Sequence, residues 1–144
     1  MRCEEVMTRD LVTCSMRDSA ARCAQLMRGL GIGFLPVTTG KGELVGVITD
    51  RDLALRVVAD GLDPFRTYAS SIMSRRVLTC SPHDSLDAVE DLMRRCRKSR
   101  VVCVDHWGHP VGVISLSDIA QADWTWRTGG VYRDIARRES VRAG

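Results

Sequence analysis

The sequence predicts an α+β fold of two β-α-β-β-α repeats, packed sheet to sheet about a pseudo-twofold axis. The chain matches itself at an offset of 66 positions, residues 6–54 against 72–120 without a gap, with seventeen identities in 49 places. Composition alone gives about three. Each copy also carries one stretch with apolar residues at three-and-four spacing, the pattern of a helix, and two short apolar runs split by a glycine-containing turn, the pattern of a hairpin. Two copies are too few for a solenoid, so each has to bury the open face of its sheet against the other.

The elements follow in order. A short extended piece, LVTCS at 11–15 or VLTCS at 77–81, leads into the first helix. Its apolar stripe is Ala20, Cys23, Leu26, Met27 and Leu30 in one copy and Leu86, Val89, Leu92, Met93 and Cys96 in the other. Asp18 and Asp84 are the expected N-caps. The paired runs FLPVT and ELVGVIT, then RVVCV and PVGVIS, turn through TGKG and DHWG and are expected to form antiparallel hairpins. A last helix begins at Thr49-Asp50-Arg51-Asp52 or Ser115-Leu116-Ser117-Asp118. The segment DGLDPFRTYAS at 60–70 reads as the connector. The expected division is therefore repeat 1 with its N-terminal segment and connector at 1–66, repeat 2 at 67–123, and a C-terminal extension at 124–144. In the extension Gly129-Gly130 makes a break, after which Val131, Tyr132 and Ile135 suit a short amphipathic helix that docks on the pair or on a second chain.

Composition narrows the function. At 144 residues, 44% apolar and 27% charged, the chain is the size of one soluble domain that needs neither disulfide nor metal for stability. No apolar run approaches the roughly 20 residues of a membrane span. The start, MRCEEVMTRD, has no apolar signal region, so the expected location is the cytoplasm. The six cysteines form no CxxC pair and read as free, mostly buried thiols. A net charge of +3 does not argue for nucleic acid. The basic cluster RRCRK at 94–98 and the tail arginines Arg133, Arg137, Arg138 and Arg142 read as solvated faces, with Glu90 and Asp91 as partners for Arg94 and Arg95. Enzymatic activity is not expected: there is no GxSxG, Walker loop, HExxH or GxGxxG, and no cluster of titratable groups at motif spacing.

The two stretches GVITDRD at 46–52 and GVISLSD at 112–118 carry the functional question. Thr49 with Asp52, and Ser115 with Asp118, fit a capping box, in which the hydroxyl accepts from the third backbone N–H and the acid reaches back. The same atoms suit a nucleoside phosphate. A hydroxyl beside free helical N–H groups meets phosphate, and an ionised carboxylate accepts from two vicinal ribose hydroxyls.

The order of elements, the LPV strand, the GVIT or GVIS ending and the Thr/Ser-x-x-Asp step together resemble the CBS domain, the cystathionine beta-synthase motif found in tandem pairs. The resemblance covers 6–54 and 72–120. It implies a Bateman module, a regulatory sensor that binds an adenosine nucleotide (AMP, ADP, ATP or a related adenosyl ligand) in clefts between the repeats, forms a homodimer and modulates an unidentified client protein. No cofactor is required, and the nucleotide is expected with or without magnesium. IGFLPV and TDRDLALRVVADGLDP resemble the small stand-alone bacterial pairs of the hypoxic-response type. By the same resemblance, Thr49 and Asp52 are the phosphate and ribose contacts of the first copy. Thr13, Cys14 and Ser15 lie beside the base, and Phe34, Leu35, Pro36 and Val37 line the cleft. Ser115, Asp118, Thr79, Cys80, Ser81, Arg100, Val101, Val102 and Cys103 occupy those places in the second. Arg51 adds a phosphate contact that the second copy lacks, so the first site is expected to be the stronger. Asp50 opposes phosphate if it points inward.

Two other functions compete with this reading: a nucleic-acid-binding protein using the basic helix and tail, and a constitutive scaffold with vestigial clefts. Cys103, His106 and His109 are zinc-type ligands around one turn, though alternation sends Cys103 toward the core. Trp107, Trp124 and Trp126 are candidate interface anchors, His83 is expected at the surface, and Met7, Met27, Met73 and Met93 recur pairwise as core.

Overall fold

The computed structural model describes residues 1–122, 131 and 133–137. They form two compact units. One is Val12–Val77, and the other joins Met1–Leu11 to the residues from Leu78 onward. The N-terminal segment, grouped with repeat 1 by sequence order, thus packs in space with the second copy. Residues 67–77 pack with the first.

The fold is α+β with two three-stranded sheets. In the first unit β1 (Cys14–Ser15) runs parallel to β2 (Phe34–Thr38), which runs antiparallel to β3 (Leu44–Thr49). In the second unit β4 (Thr79–Cys80), β5 (Arg100–Val104) and β6 (Pro110–Ser115) repeat that order and register. The hairpin turns need Gly42 and Gly108, which share a φ of 83° that a side chain would resist.

Each long helix, α1 (Ala20–Leu30) and α4 (Leu86–Cys96), lays its apolar stripe on one sheet. Leu35, Val37 and Ile48 meet Ala20, Cys23 and Met27, while Val101, Cys103 and Ile114 meet Leu86, Val89 and Met93. Full burial of one such large apolar side chain contributes about 1.5–3 kcal/mol. All four recurring methionines are buried. The caps differ from expectation by one residue. Ser19 Oγ accepts from Arg22 N–H at 3.1 Å and Ser85 Oγ from Ala88 N–H at 3.3 Å. Asp18 and Asp84 instead accept from Ser15 and Ser81 N–H at 2.8 Å, closing the turn from strand to helix. The serines are the last extended residues, with ψ of 155° and 143°, and that backbone is what an N-cap requires.

A second departure lies on α4. Glu90 turns inward and is 1% exposed, so Arg94 pairs with Asp91 at 3.4 Å and with Asp134 at 3.7 Å. Arg95, Arg97 and Lys98 lie exposed.

The outer edges of β3 and β6 are each covered by one residue of a leading segment. Ser74 and Val47 exchange two backbone hydrogen bonds, at 2.8 and 2.9 Å, and Thr8 and Val113 do the same at 2.9 and 3.1 Å. This caps an edge that would otherwise template pairing with another chain. It also explains the glycine of each VGVI. A Cβ on Gly46 would lie 2.7 Å from Met73 Sδ and 2.9 Å from the Ser74 carbonyl oxygen; on Gly112 it would lie 2.6 Å from Met7 Sδ and 3.1 Å from that of Thr8.

After β3, α2 (Asp50–Leu53) widens into a π-helical turn, Ala54–Val58, and the short α3 (Ala69–Ile72) follows the connector. After β6 comes α5 (Leu116–Ala122). Val131 and Ile135, 0% and 5% exposed, join the core of the second unit, so this part of the extension docks there. Tyr132, Trp124, Trp126, Arg138 and Arg142 lie outside the described residues. Trp107 is 66% exposed. No helix among the described residues is long and apolar enough to cross a membrane.

Candidate functional site

The hairpin register sets Phe34 opposite Thr49 and Arg100 opposite Ser115, so each strand end stands beside the start of the following helix. Both helix starts are complete capping boxes. Thr49 N–H donates to Asp52 Oδ2 at 3.0 Å and Thr49 Oγ1 accepts from Asp52 N–H at 3.1 Å. In the second copy Ser115 N–H and Oγ–H both donate to Asp118 Oδ2 at 2.7 Å, and Ser115 Oγ accepts from Asp118 N–H at 3.2 Å. The aspartates therefore point at their own caps.

The copies differ around that shared frame. Asp52 Oδ1 lies 3.9 Å from Arg56 Nε, and Arg56 Nη1 donates to the carbonyls of Ile72 and Met73 at 2.9 and 3.3 Å. Ala122 stands where Arg56 would recur, so the second copy lacks that arginine. Asp50 folds back on the Gly33 backbone: its Oδ1 accepts from Arg51 N–H at 2.9 Å, and a Cβ on Gly33 would fall 2.6 Å from its Oδ2. In the second copy Ser99 replaces Gly33 and Leu116 replaces Asp50, and Leu116 is buried, so the two changes fit each other. Arg51 is exposed beside the first helix start.

Among the strand residues, alternation splits the work. Cys14, Leu35, Val37, Cys80, Val101 and Cys103 send side chains into the helix-facing cores. Pro36 and Val102 are fully buried outside those clusters. Phe34, Thr13, Ser15 and Ser81 are half-buried, while Thr79 and Arg100 are exposed. In the second unit Ser99, Arg100, Ser115, Leu116 and Ser117 line a pocket of about 220 Å³ whose remaining wall is Ile135 and Ala136. Nothing in the sequence connects those last two residues to the pocket, because the extension has no second copy to be read against. A shallower hollow of about 320 Å³ lies between Asp118 and Gln121 on α5 and Met1, Glu5 and Val6 of the leading segment.

The zinc-type trio does not assemble. Cys103 is fully buried with its Sγ 3.3 Å from Cys80 Sγ, whereas His106 stacks on Trp107 at the exposed turn and His109 Nδ1 lies 3.7 Å from Asp105. Strand alternation drives the thiol and the imidazoles apart. No group of three or more metal-ligating side chains comes together among the described residues. His83 is exposed, with Nδ1 3.5 Å from Glu4 Oε1.

With this geometry in view, the likeness to known proteins is specific. The CBS-domain family model matches residues 3–59 and 69–124. An uncharacterized protein of Methanopyrus kandleri is 34% identical over 119 residues, which are 83% of this chain and 61% of that protein. The chain therefore spans less than two thirds of that relative. Hypoxic Response Protein I, solved with two coordinated zinc ions, is 25% identical with a TM-score of 0.76, covering 84% of this chain and 98% of that one. The CBS domain pair of protein MJ0100, solved in complex with 5′-methylthioadenosine and S-adenosyl-L-methionine, is 25% identical with a TM-score of 0.75, covering 85% and 94%.

Proposed function

The chain belongs to the CBS-domain family as a tandem pair, and from that premise we propose that it is a non-enzymatic regulatory module that binds an adenosyl ligand and alters a partner protein's activity. The observation that carries this reading is the repeated Thr/Ser-x-x-Asp box, set twice at the same strand-to-helix step with its aspartate half-buried. In the first copy Thr49 and the exposed Arg51 meet phosphate, and Asp52 turns from its cap to accept from the ribose hydroxyls. Thr13, Cys14 and Ser15 lie beside the base with backbone groups, and Phe34 and Pro36 line its apolar flank. In the second copy Ser115, Asp118, Thr79, Cys80, Ser81, Arg100 and Val102 stand in the same roles. The complex of MJ0100 with adenosyl ligands supports the ligand class. The ligand is AMP, ADP, ATP or a relative, with magnesium where its phosphates hold the ion, and the module works as a cytoplasmic homodimer.

The test is a thermal-melting screen with AMP, ADP, ATP and S-adenosylmethionine, each with and without magnesium. A ligand at a hundredfold its dissociation constant adds about 2.7 kcal/mol. A melting point that none of the four moves would identify a constitutive scaffold instead.

A further inference from the structure

We propose that Cys80 and Cys103 form an oxidation site, a pair of thiols that a small neutral peroxide converts into a disulfide linking β4 to β5 in the second unit. The two residues face each other directly in the parallel ladder, and their Sγ atoms stand 3.3 Å apart. Neighbouring strands lie about 4.8 Å apart, inside the roughly 4.4–6.8 Å between Cα atoms that a disulfide spans. The sulfurs need to close by only about 1.3 Å to reach bonding distance. β4 is two residues long and lies at the edge of its sheet, so it yields that distance more easily than a central strand. The first copy has no such strand pair, because Cys14, the counterpart of Cys80, faces Val37. A third buried thiol of the second unit, Cys3 of the leading segment, shares a hydrogen bond with Cys80.

Burial selects the reagent. Cys80 is 7% exposed and Cys103 0%, which shuts out bulky reagents and leaves a small oxidant. The hydrogen bond to Cys103, with burial, also raises the Cys80 thiol, so the reaction is slower than at an exposed cysteine. The Cys80 sulfur attacks one peroxide oxygen, the O–O bond breaks, one water leaves with the thiol proton, and Cys80 becomes a sulfenic acid. The Cys103 sulfur then displaces that hydroxyl as a second water, which carries off the second thiol proton as the S–S bond forms. The two thiols give up two electrons and one peroxide is reduced to two waters. A thiol reductant reverses the link. The product is a covalent clamp on the short strand that carries Thr79.

The experiment uses the full chain with Cys96→Ser, which removes the exposed thiol. Hydrogen peroxide is added at neutral pH, and intact mass and peptide mapping under non-reducing conditions are followed over hours. The expected result is the loss of two hydrogens per chain and a cross-linked peptide joining Cys80 to Cys103, both reversed by dithiothreitol. Cys103→Val installs the residue type that the first copy carries at Val37, so the core stays filled, and it should abolish the loss of hydrogens. Cys14→Ala, in the other unit, should leave that loss unchanged. An unchanged mass would overturn the assignment, as would oxygen added without loss of hydrogens. A link that joins Cys80 to Cys3, or Cys14 to Cys23, in place of Cys80 to Cys103 would overturn it too. Should Cys103→Val fail to fold, the peptide map of the chain that retains Cys103 decides alone.

Discussion

Arg56 joins Asp52 to the end of α3: its Nε stands 3.9 Å from Asp52 Oδ1, and its Nη1 donates to the carbonyls of Ile72 and Met73 at 2.9 and 3.3 Å. Those carbonyls end a helical turn and have no partner within it. Arg56→Ala should therefore cost about 1–2 kcal/mol in urea denaturation, a value discounted for the half-exposed side chain. Most of the loss comes from the two carbonyls. Arg56→Lys should recover only part of it, because a single ammonium matches the fork poorly.

The capping boxes and the proposed ligand contacts share atoms, and two kinds of variant separate them. Thr49→Ala and Ser115→Ala each remove a cap and should lower stability by about 1 kcal/mol, nearly equally in the two copies. Asp52→Ala should weaken AMP binding by tenfold or more in calorimetry, and Asp118→Ala by much less. Equal losses from the two aspartates would overturn the ranking of the sites.

Gly46→Ala and Gly112→Ala should each destabilise the protein by about 1–3 kcal/mol, since the added methyl meets a methionine sulfur and a strand-edge carbonyl at once. Met73→Ala added to Gly46→Ala should relieve only part of the loss. The sulfur can move, but the Ser74 carbonyl oxygen, 2.9 Å away, is held by its pairing with Val47.

The cysteines give a pH dependence of known sign. Burial, together with the neighbouring Cys80, pushes the Cys3 thiol up to about 12. Its hydrogen bond to Cys103 and burial raise Cys80; between Cys14 and Cys23 the shared hydrogen bond raises the first thiol and lowers the second, so the sign is carried by Cys3 and Cys80. Unfolded thiols ionise near pH ~8.5. The stability these groups contribute is complete below that pH and is lost as pH rises toward their folded values, so the melting point should fall between about pH 9 and pH 12. Cys3→Ala should flatten the slope. At pH 8 a thiol reagent should find one fast site, the exposed Cys96, against five slow ones.

The parts of this fold legible in the sequence are those written in local periodicity. The repeat, the hairpins and the helix stripes all follow from spacing, and so does the capping box, whose partners lie three residues apart. The cap falls on Ser19 and not on Asp18 because both residue types cap helices and only backbone conformation tells them apart. Glu90 had a signal that its charge obscured, for it falls four residues after Leu86 and three before Met93, on the apolar face. The edge contacts of Thr8 and Ser74 are single, non-local bridges and leave no period. Their trace is the paired Gly46 and Gly112, legible only once Met73 and Met7 are seen against them. The approach of Ile135 to the Ser115 pocket is non-local too, in a stretch that occurs once.

The placement of Thr8 and Ser74 bears on how such a chain arose. Each segment ahead of a repeat finishes the sheet of the other copy, Met1–Leu11 that of the second and the stretch before Leu78 that of the first. A half-length ancestor could have sealed its own outer strand only by trading arms with a sibling molecule, an exchange whose yield falls on dilution. With both copies in one chain that trade is intramolecular and takes place at high effective concentration. It also leaves the two copies free to differ, as they do where Arg56 of one corresponds to Ala122 of the other.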